Sequence, residues 1–267
     1  MGKDLSAEFA ASRRVFEEAD ETLGFSLSRM MFQGCPTTLM QTKNAQPAIV
    51  TVSVAALRAL EHDTGMDASE IYSFSMGHSV GEYSALVAVQ ALSFSNCIQL
   101  VRTRGEAMQD AIRAREYAMS ACILRNSKIE DVVAEVDRVQ AEIMSMSHSN
   151  TATEDTSTSA CEVVQVANIN SSSQVVLSGT RSAVDAALAC LQTKRLAMRA
   201  VNLPVSAPFH CKLMGPAKEV LAARIAELNP IRDPRLWTMP VISNVTAEPH
   251  ETTASTQALL AEQVERP

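Results

Sequence analysis

Gly77-His78-Ser79-Val80-Gly81 sets a hydroxyl two residues from a glycine on either side, the G-x-S-x-G spacing of a strained strand-to-helix turn. Such a turn lifts the serine Oγ clear of the backbone. The following helix then points its amides and its dipole at the oxyanion that forms when the serine attacks a carbonyl. Side chains at both ±2 positions are expected to crowd the turn, which accounts for the two glycines, and the Val80 amide is the expected oxyanion donor. The pentapeptide alone fits an inert glycine-bounded turn as well. A serine also needs a base. Of five histidines, His62 lies at a polar helix end, His148 and His250 in polar segments, and His78 in the turn itself, facing away from the Ser79 proton. His210 closes the loop from Leu203 to Phe209, a place where bases are commonly held, although a lone loop histidine can equally be structural. Cys211 beside it is a rival nucleophile with no motif around it.

The elements that must position these groups follow from periodicity. Residues 71–76 are short, mostly apolar and β-prone, and a helical pattern runs from Val80 to Val89, so Ser79 falls between strand and helix. Helices are read over 7–23, over 46–60 with Pro47 in the first turn, and over 93–113, which carries Arg102, Arg104 and Met108. Strands over 118–124, 163–167, 174–179 and 197–203 and helices over 129–144 and 183–192 give the order βαββαβ, the ferredoxin-like order. Residues 145–160 are almost wholly Ser, Thr, His, Asn and acidic, and read as a solvated loop. The fold class is therefore α/β. Residues 1–117 and 204–267 form an α/β-hydrolase-like core with a parallel sheet, and residues 118–203 an inserted ferredoxin-like α+β subdomain.

With 46% hydrophobic and 20% charged residues, the 267-residue chain has the balance of an ordinary globular protein. No stretch approaches the roughly 18 consecutive apolar residues of a membrane span. The formal charge of −7 argues against nucleic-acid binding, which needs clustered Lys and Arg. The six cysteines contain no CxxC pair, so neither a zinc framework nor a disulfide scaffold is indicated. Met1-Gly2-Lys3-Asp4-Leu5-Ser6 fits the loose myristoylation pattern, and no transit segment opens the chain.

The segment from Gly77 to Leu86, with Glu82, Tyr83, Ser84 and Ala85 after the pentapeptide, resembles the active-site segment of malonyl-CoA:acyl carrier protein transacylases. Arg104-Gly105-Glu106-Ala107-Met108-Gln109, Ser206-Ala207-Pro208-Phe209-His210, Ser243-Asn244-Val245, Ala45-Gln46-Pro47-Ala48, and Asn168-Ile169-Asn170 through Gly179 continue the match in the family's order. The resemblance implies ping-pong acyl transfer without a cofactor, with malonyl-CoA as donor and the phosphopantetheine thiol of acyl carrier protein as acceptor. His210 would take the Ser79 proton and Arg104 would bind the malonyl carboxylate, which a planar guanidinium can grip with two hydrogen bonds. Gln263 matches the residue whose backbone carbonyl orients the histidine. Gln46 matches a pocket glutamine, and Asn168 and Asn244 would shape the site. Without the family, Arg104 reads as a solvated helix charge and the three amides as satisfied loop polars.

Against the family pattern the chain begins at the exit of a Gly-Gln-Gly-Ser-Gln loop and stops before the last strand. It reads as incomplete at both ends, with lowered activity expected from a lost oxyanion amide. A mitochondrial location is what the resemblance and the polar insertion suggest. Because both the carrier and this chain are acidic, docking calls for a local basic patch, for which Lys194, Arg195, Arg199 and Lys212 are the candidates. Two other function classes share these features: a serine hydrolase or thioesterase, and an inactive homologue serving as an interaction protein.

Overall fold

The computed structural model describes residues 1–111, 116–149, 162–205, 207–229 and 231–266. Contacts divide the chain into two units: residues 1–110 with 216–263, and residues 111–215 with 264–267.

The first unit is helical. Its amino-terminal part comprises α1 (Lys3–Glu8), α2 (Ala10–Leu23), α3 (Leu27–Gln33), α4 (Pro36–Leu39), α5 (Thr42–Thr64), α6 (Ala68–Ile71), α7 (Gly81–Ala88) and α8 (Phe94–Asp110). The single helix expected over 7–23 is broken at Phe9, which adopts an extended conformation between α1 and α2. Helix α5 packs against both α2 and α8 and starts earlier than expected, so Pro47 lies inside it and not in its first turn. Proline has no N–H to give to the carbonyl four residues back. That carbonyl, Lys43 O, instead accepts from Arg102 Nη1 at 3.1 Å, so a side chain from α8 fills the gap in the helix.

The strand expected over 71–76 does not form. The segment makes a single parallel bridge, Ser75 with Val241, in which Ser75 N–H donates to Pro240 O and Ile242 N–H to Ser75 O. Pairing ends there, and Tyr72, Phe74 and Met76, on one side of the extended segment, are each more than half exposed. Among the described residues the first unit thus holds one parallel bridge where the sequence predicts a parallel sheet.

The second unit runs β1 (Tyr117–Leu124), α9 (Ile129–Ser149), β2 (Val164–Ser171), β3 (Gln174–Thr180), α10 (Arg181–Thr193) and β4 (Ala197–Asn202). The strand order is β2-β3-β1-β4, with every neighbouring pair antiparallel. Alternation in β1 and β3 sends Cys122, Leu124, Val175 and Leu177 into one core with Val132, Val136, Val184 and Leu191 of the two helices. Met119, Ala167 and Val176 form a smaller cluster with Leu203, Val205 and Phe209. Helix α9 continues through 145–149, which the sequence reading gave to a loop, and the remaining loop residues 150–160 lie outside the described residues. Two further helices, α11 (Gly215–Leu228) and α12 (Thr253–Glu262), return the chain to the first unit.

Candidate active site

Ser79 has φ +52°, the left-handed backbone that a side-chain-bearing residue adopts only under constraint. The constraint is visible on both sides. Ser79 N–H donates to Asn244 Oδ1 at 2.6 Å, while Asn244 Nδ2 donates to Gly77 O at 2.7 Å, so one amide side chain clips the turn across its width. The Gly81 and Glu82 amides close back onto His78 O and Ser79 O, which starts α7 directly behind the serine. Gly77 is glycine because a Cβ there would lie 2.1 Å from the Gly81 carbonyl carbon. Gly81 differs from expectation, since a Cβ built on it meets nothing within 4 Å. The crowding therefore belongs to position 77 alone. His78 is exposed, and Val80, whose amide the sequence nominated, is half-buried at the start of α7.

Arg104 is 2% exposed, although its helix carries charges along its solvated side. It comes near Ser79 because α8 approaches α5 closely: a Cβ on the next residue, Gly105, would lie 2.7 Å from Lys43 Cα and from Thr42 O. The guanidinium Nη1 donates to Gln46 Oε1 at 2.6 Å, and Nη2 donates to Ser79 Oγ and Gln263 Oε1, each at 3.1 Å. Gln46 is held in turn by donating to Thr42 Oγ1 at 2.9 Å. The Tyr83 ring lies beneath the guanidinium, 5.9 Å from ring centre to Cζ. Burial pushes the Arg104 guanidinium below its ordinary pKa, with Tyr83 and Glu82 acting in the opposite direction. Its Nε is buried and has no hydrogen-bond partner among the described residues, and no carboxylate there pairs with it directly. A buried cation satisfied only by neutral oxygens is poised to receive an anion.

Behind this group sits a buried acid that the sequence did not single out. Glu82 Oε1 lies 2.8 Å from His250 Nε2, and Glu82 Oε2 accepts from Gln263 Nε2 at 2.5 Å and from Asn244 N–H at 3.2 Å. Gln263 Nε2 also donates to Ser79 O at 3.1 Å. Ser79, Arg104, Gln46, Gln263 and Asn244 are thus brought together within the first unit, joined by Glu82 and His250. His250 had read as one of the polar-segment histidines. The available signal was Glu82 itself, an acid immediately after the pentapeptide.

His210 and Asn168 belong to the second unit. His210 also has positive φ, +58°, and its N–H donates to Val264 O at 3.1 Å. Its Nδ1 lies 3.1 Å from Arg266 O. A carbonyl accepts only from a protonated Nδ1, which puts the lone pair of the neutral ring on Nε2. The carbonyl against the ring is Arg266's, three residues beyond Gln263, whose side-chain amide meets Ser79 O and Glu82. Asn168 is half-buried at an irregularity in β2 between Val166 and Asn168. Cys211 is buried, donates to Pro208 O at 3.2 Å, and has its thiol pushed up to about 11 by burial, which disfavours the thiolate a nucleophile needs. Lys194, one of the four candidate docking cations, is engaged with Glu135 at 2.5 Å.

Comparison with known proteins supplies names for similar chains. The acyl transferase domain family matches residues 1–156. The malonyl CoA-acyl carrier protein transacylase of Bacillus subtilis strain 168 is 39% identical over 267 residues, covering all of this chain and 75% of the relative. The acyl-carrier-protein-S-malonyltransferase of Bartonella henselae superposes with TM-score 0.84 at 35% identity, over all of this chain and 76% of that one. A type II PKS acyl-carrier protein in complex with its malonyl-transacylase matches with TM-score 0.83 at 31% identity, over all of this chain and 77% of that one. No helix among the described residues is long and apolar enough to cross a membrane.

Proposed function

The chain belongs to the acyl transferase domain family, among the malonyl CoA-acyl carrier protein transacylases, and from that premise we propose that it moves malonyl from coenzyme A to acyl carrier protein through Ser79. One observation carries the reading: the buried Arg104 guanidinium lies 3.1 Å from Ser79 Oγ. In a malonyl thioester the carboxylate carbon is two bonds from the carbonyl that the serine attacks. A cation that close to the nucleophile therefore suits an acyl group whose far end is an anion.

Ser79 Oγ adds to the thioester carbonyl while His210 Nε2 takes its proton. The Val80 amide receives the oxyanion at the head of α7. The C–S bond breaks, His210 returns the proton to the coenzyme A sulfur, and malonyl remains as an ester on Ser79. The carrier's phosphopantetheine thiol, deprotonated by His210, repeats the addition, and the C–O bond to Ser79 breaks as His210 returns that proton to Ser79 Oγ. Arg104 holds the carboxylate through both halves, Gln46 and Gln263 hold Arg104, Asn244 holds the turn, and Asn168 is assigned a supporting role on the resemblance alone. Neither a cofactor nor a metal is called for, so protein treated with EDTA should keep its full rate.

The division into a hydrolase-like core (1–117, 204–267) and a ferredoxin-like insertion (118–203) belongs to the same reading. Support for the insertion is the order βαββαβ with the sheet β2-β3-β1-β4. The core's support is the strained serine ahead of α7 and the parallel bridge at Ser75. The mitochondrial placement rests on the resemblance alone, and cell fractionation tests it.

A malonyl-loading assay with and without carrier protein separates the rivals. Transfer requires the carrier, a thioesterase releases malonate without it, and an inactive interaction protein does neither. Ser79→Ala should abolish malonyl labelling with little change in melting temperature. Labelling that persists on Cys211 would sink the assignment.

A further inference from the structure

On the reading that Arg104 receives the malonyl carboxylate, we propose that Glu82 and His250 are positioning residues that fix the amide of Gln263 and through it aim the Arg104 guanidinium. A carboxylate can only accept hydrogen bonds and a guanidinium can only donate them, whereas a glutamine amide does one at each end. Gln263 lies between the two. Its Nε2 is 2.5 Å from Glu82 Oε2, and its Oε1 is 3.1 Å from Arg104 Nη2. Turning the amide over would set donor against donor at Arg104 and acceptor against acceptor at Glu82. The buried acid, with the Ser79 carbonyl that the same Nε2 meets at 3.1 Å, therefore holds Gln263 with its Oε1 toward the arginine.

The other carboxylate oxygen is taken by His250 Nε2 at 2.8 Å, and both side chains of this pair are at most 1% exposed. With both oxygens held, Glu82 cannot swing over to pair with Arg104 itself. That matters for the site, because a carboxylate on Arg104 would compete with the substrate's own. Kept behind Gln263, the negative charge steadies the buried cation without occupying it. His250 is fixed independently by its N–H donating to Val241 O at 3.0 Å and by an edge contact with Trp237 at 6.0 Å between ring centres.

The test compares Glu82→Ala, Glu82→Gln and His250→Phe with the unaltered protein, measuring kcat and KM for malonyl and for acetyl transfer. Glu82→Ala should lower the malonyl-to-acetyl ratio of kcat/KM about tenfold, chiefly through KM for malonyl-CoA, the size expected for one hydrogen bond to a charged group. Glu82→Gln should restore most of the ratio, since its Oε1 can still accept from Gln263 while its amide donates to His250 Nε2 once the imidazole carries its proton on Nδ1. His250→Phe should shift the ratio in the same direction as Glu82→Ala, by less. A fall in both acyl activities with the ratio unmoved would mean simple support of the fold and overturn the proposal, as would a Glu82→Gln protein no better than Glu82→Ala. If the unaltered protein shows no malonyl preference, the reading of Arg104 fails by itself. A crystal structure of Glu82→Ala then decides the positioning role: Gln263 Oε1 turned away from Arg104 supports it, and an unmoved Gln263 overturns it.

Discussion

At the level of single residues, the site is a matter of which atoms can donate and which can accept. Arg104 spends one Nη on Gln46 and the other on Ser79 and Gln263. A lysine keeps the charge but carries it at one compact point and cannot span both amides. Arg104→Lys should therefore behave much like Arg104→Ala, cutting malonyl transfer about tenfold or more while acetyl transfer falls less. Parallel kinetics with the two acyl-CoA donors check this, and equal losses would make Arg104 a structural residue. Ser79 and Arg104 were legible in the sequence because the first sits in a spacing that few backbones other than a strained turn require, and the second lies in a long family match. Glu82 was not, because an acid in the first turn of a helix is already explained by the helix dipole. Its partners His250 and Gln263 stand 168 and 181 positions away.

At the level of elements, the arginine reaches the serine only because two helices touch. Gly105 lets α8 lie against the start of α5, and a methyl there would press on Lys43 Cα and Thr42 O at 2.7 Å, both main-chain atoms that cannot rotate aside. Gly105→Ala should destabilise the protein by about 1–3 kcal/mol, the range for overpacking, and lower malonyl transfer by more than the stability loss explains. Melting curves read beside kinetics at a temperature well below the transition check both. In the second unit, Glu135 of α9 is the acidic clasp to α10. It takes hydrogen bonds from Arg138, from Cys190 at 2.8 Å and from Lys194 at 2.5 Å, and these hold its carboxyl down to about 2. Its folded value is thus below the ordinary one near ~4.3. The stability it contributes is complete above that ordinary value and is lost as the pH falls toward about 2. Glu135→Gln should melt lower than the unaltered protein at pH 6, and the difference should shrink steadily on acidification. A constant gap from pH 6 to pH 3 would refute the clasp. Helices and strands of the second unit were readable to within a few residues, because period-2 and period-3.6 patterns there are each backed by one apolar core. The run 71–76 was misread because its apolar alternation signals an extended backbone and says nothing about what lies alongside to pair with it.

At the level of the whole molecule, the chain passes between its two units three times, after Asp110, Gly215 and Gln263. The sequence reading drew the division at 117/118 and 203/204, where strand periodicity begins and ends. It could not see that 204–215, which has no period, contacts residues of the second unit, including the far carboxy-terminal stretch through His210 N–H and Val264 O. Nor could composition show that Ser79 and Arg104 lie in the first unit and His210 in the second.

Gln263 and Val264 are consecutive, yet the first is anchored by Arg104, Ser79 and Glu82 and the second by His210. The chain here has no slack. For the gene, this makes codons 264–266, whose bonds to His210 run through main-chain carbonyls, a stretch where substitutions can accumulate but changes of length cannot, since one added residue moves the chain by up to about 3.6 Å, more than a hydrogen bond can stretch. A glycine inserted between Gln263 and Val264 should silence transfer while the protein still folds. The same insertion between Ser172 and Ser173, in the exposed turn joining β2 to β3, should leave turnover near normal. Loading assays and melting curves on the two insertions measure the contrast, and equal effects would show that the length of this tether carries no function.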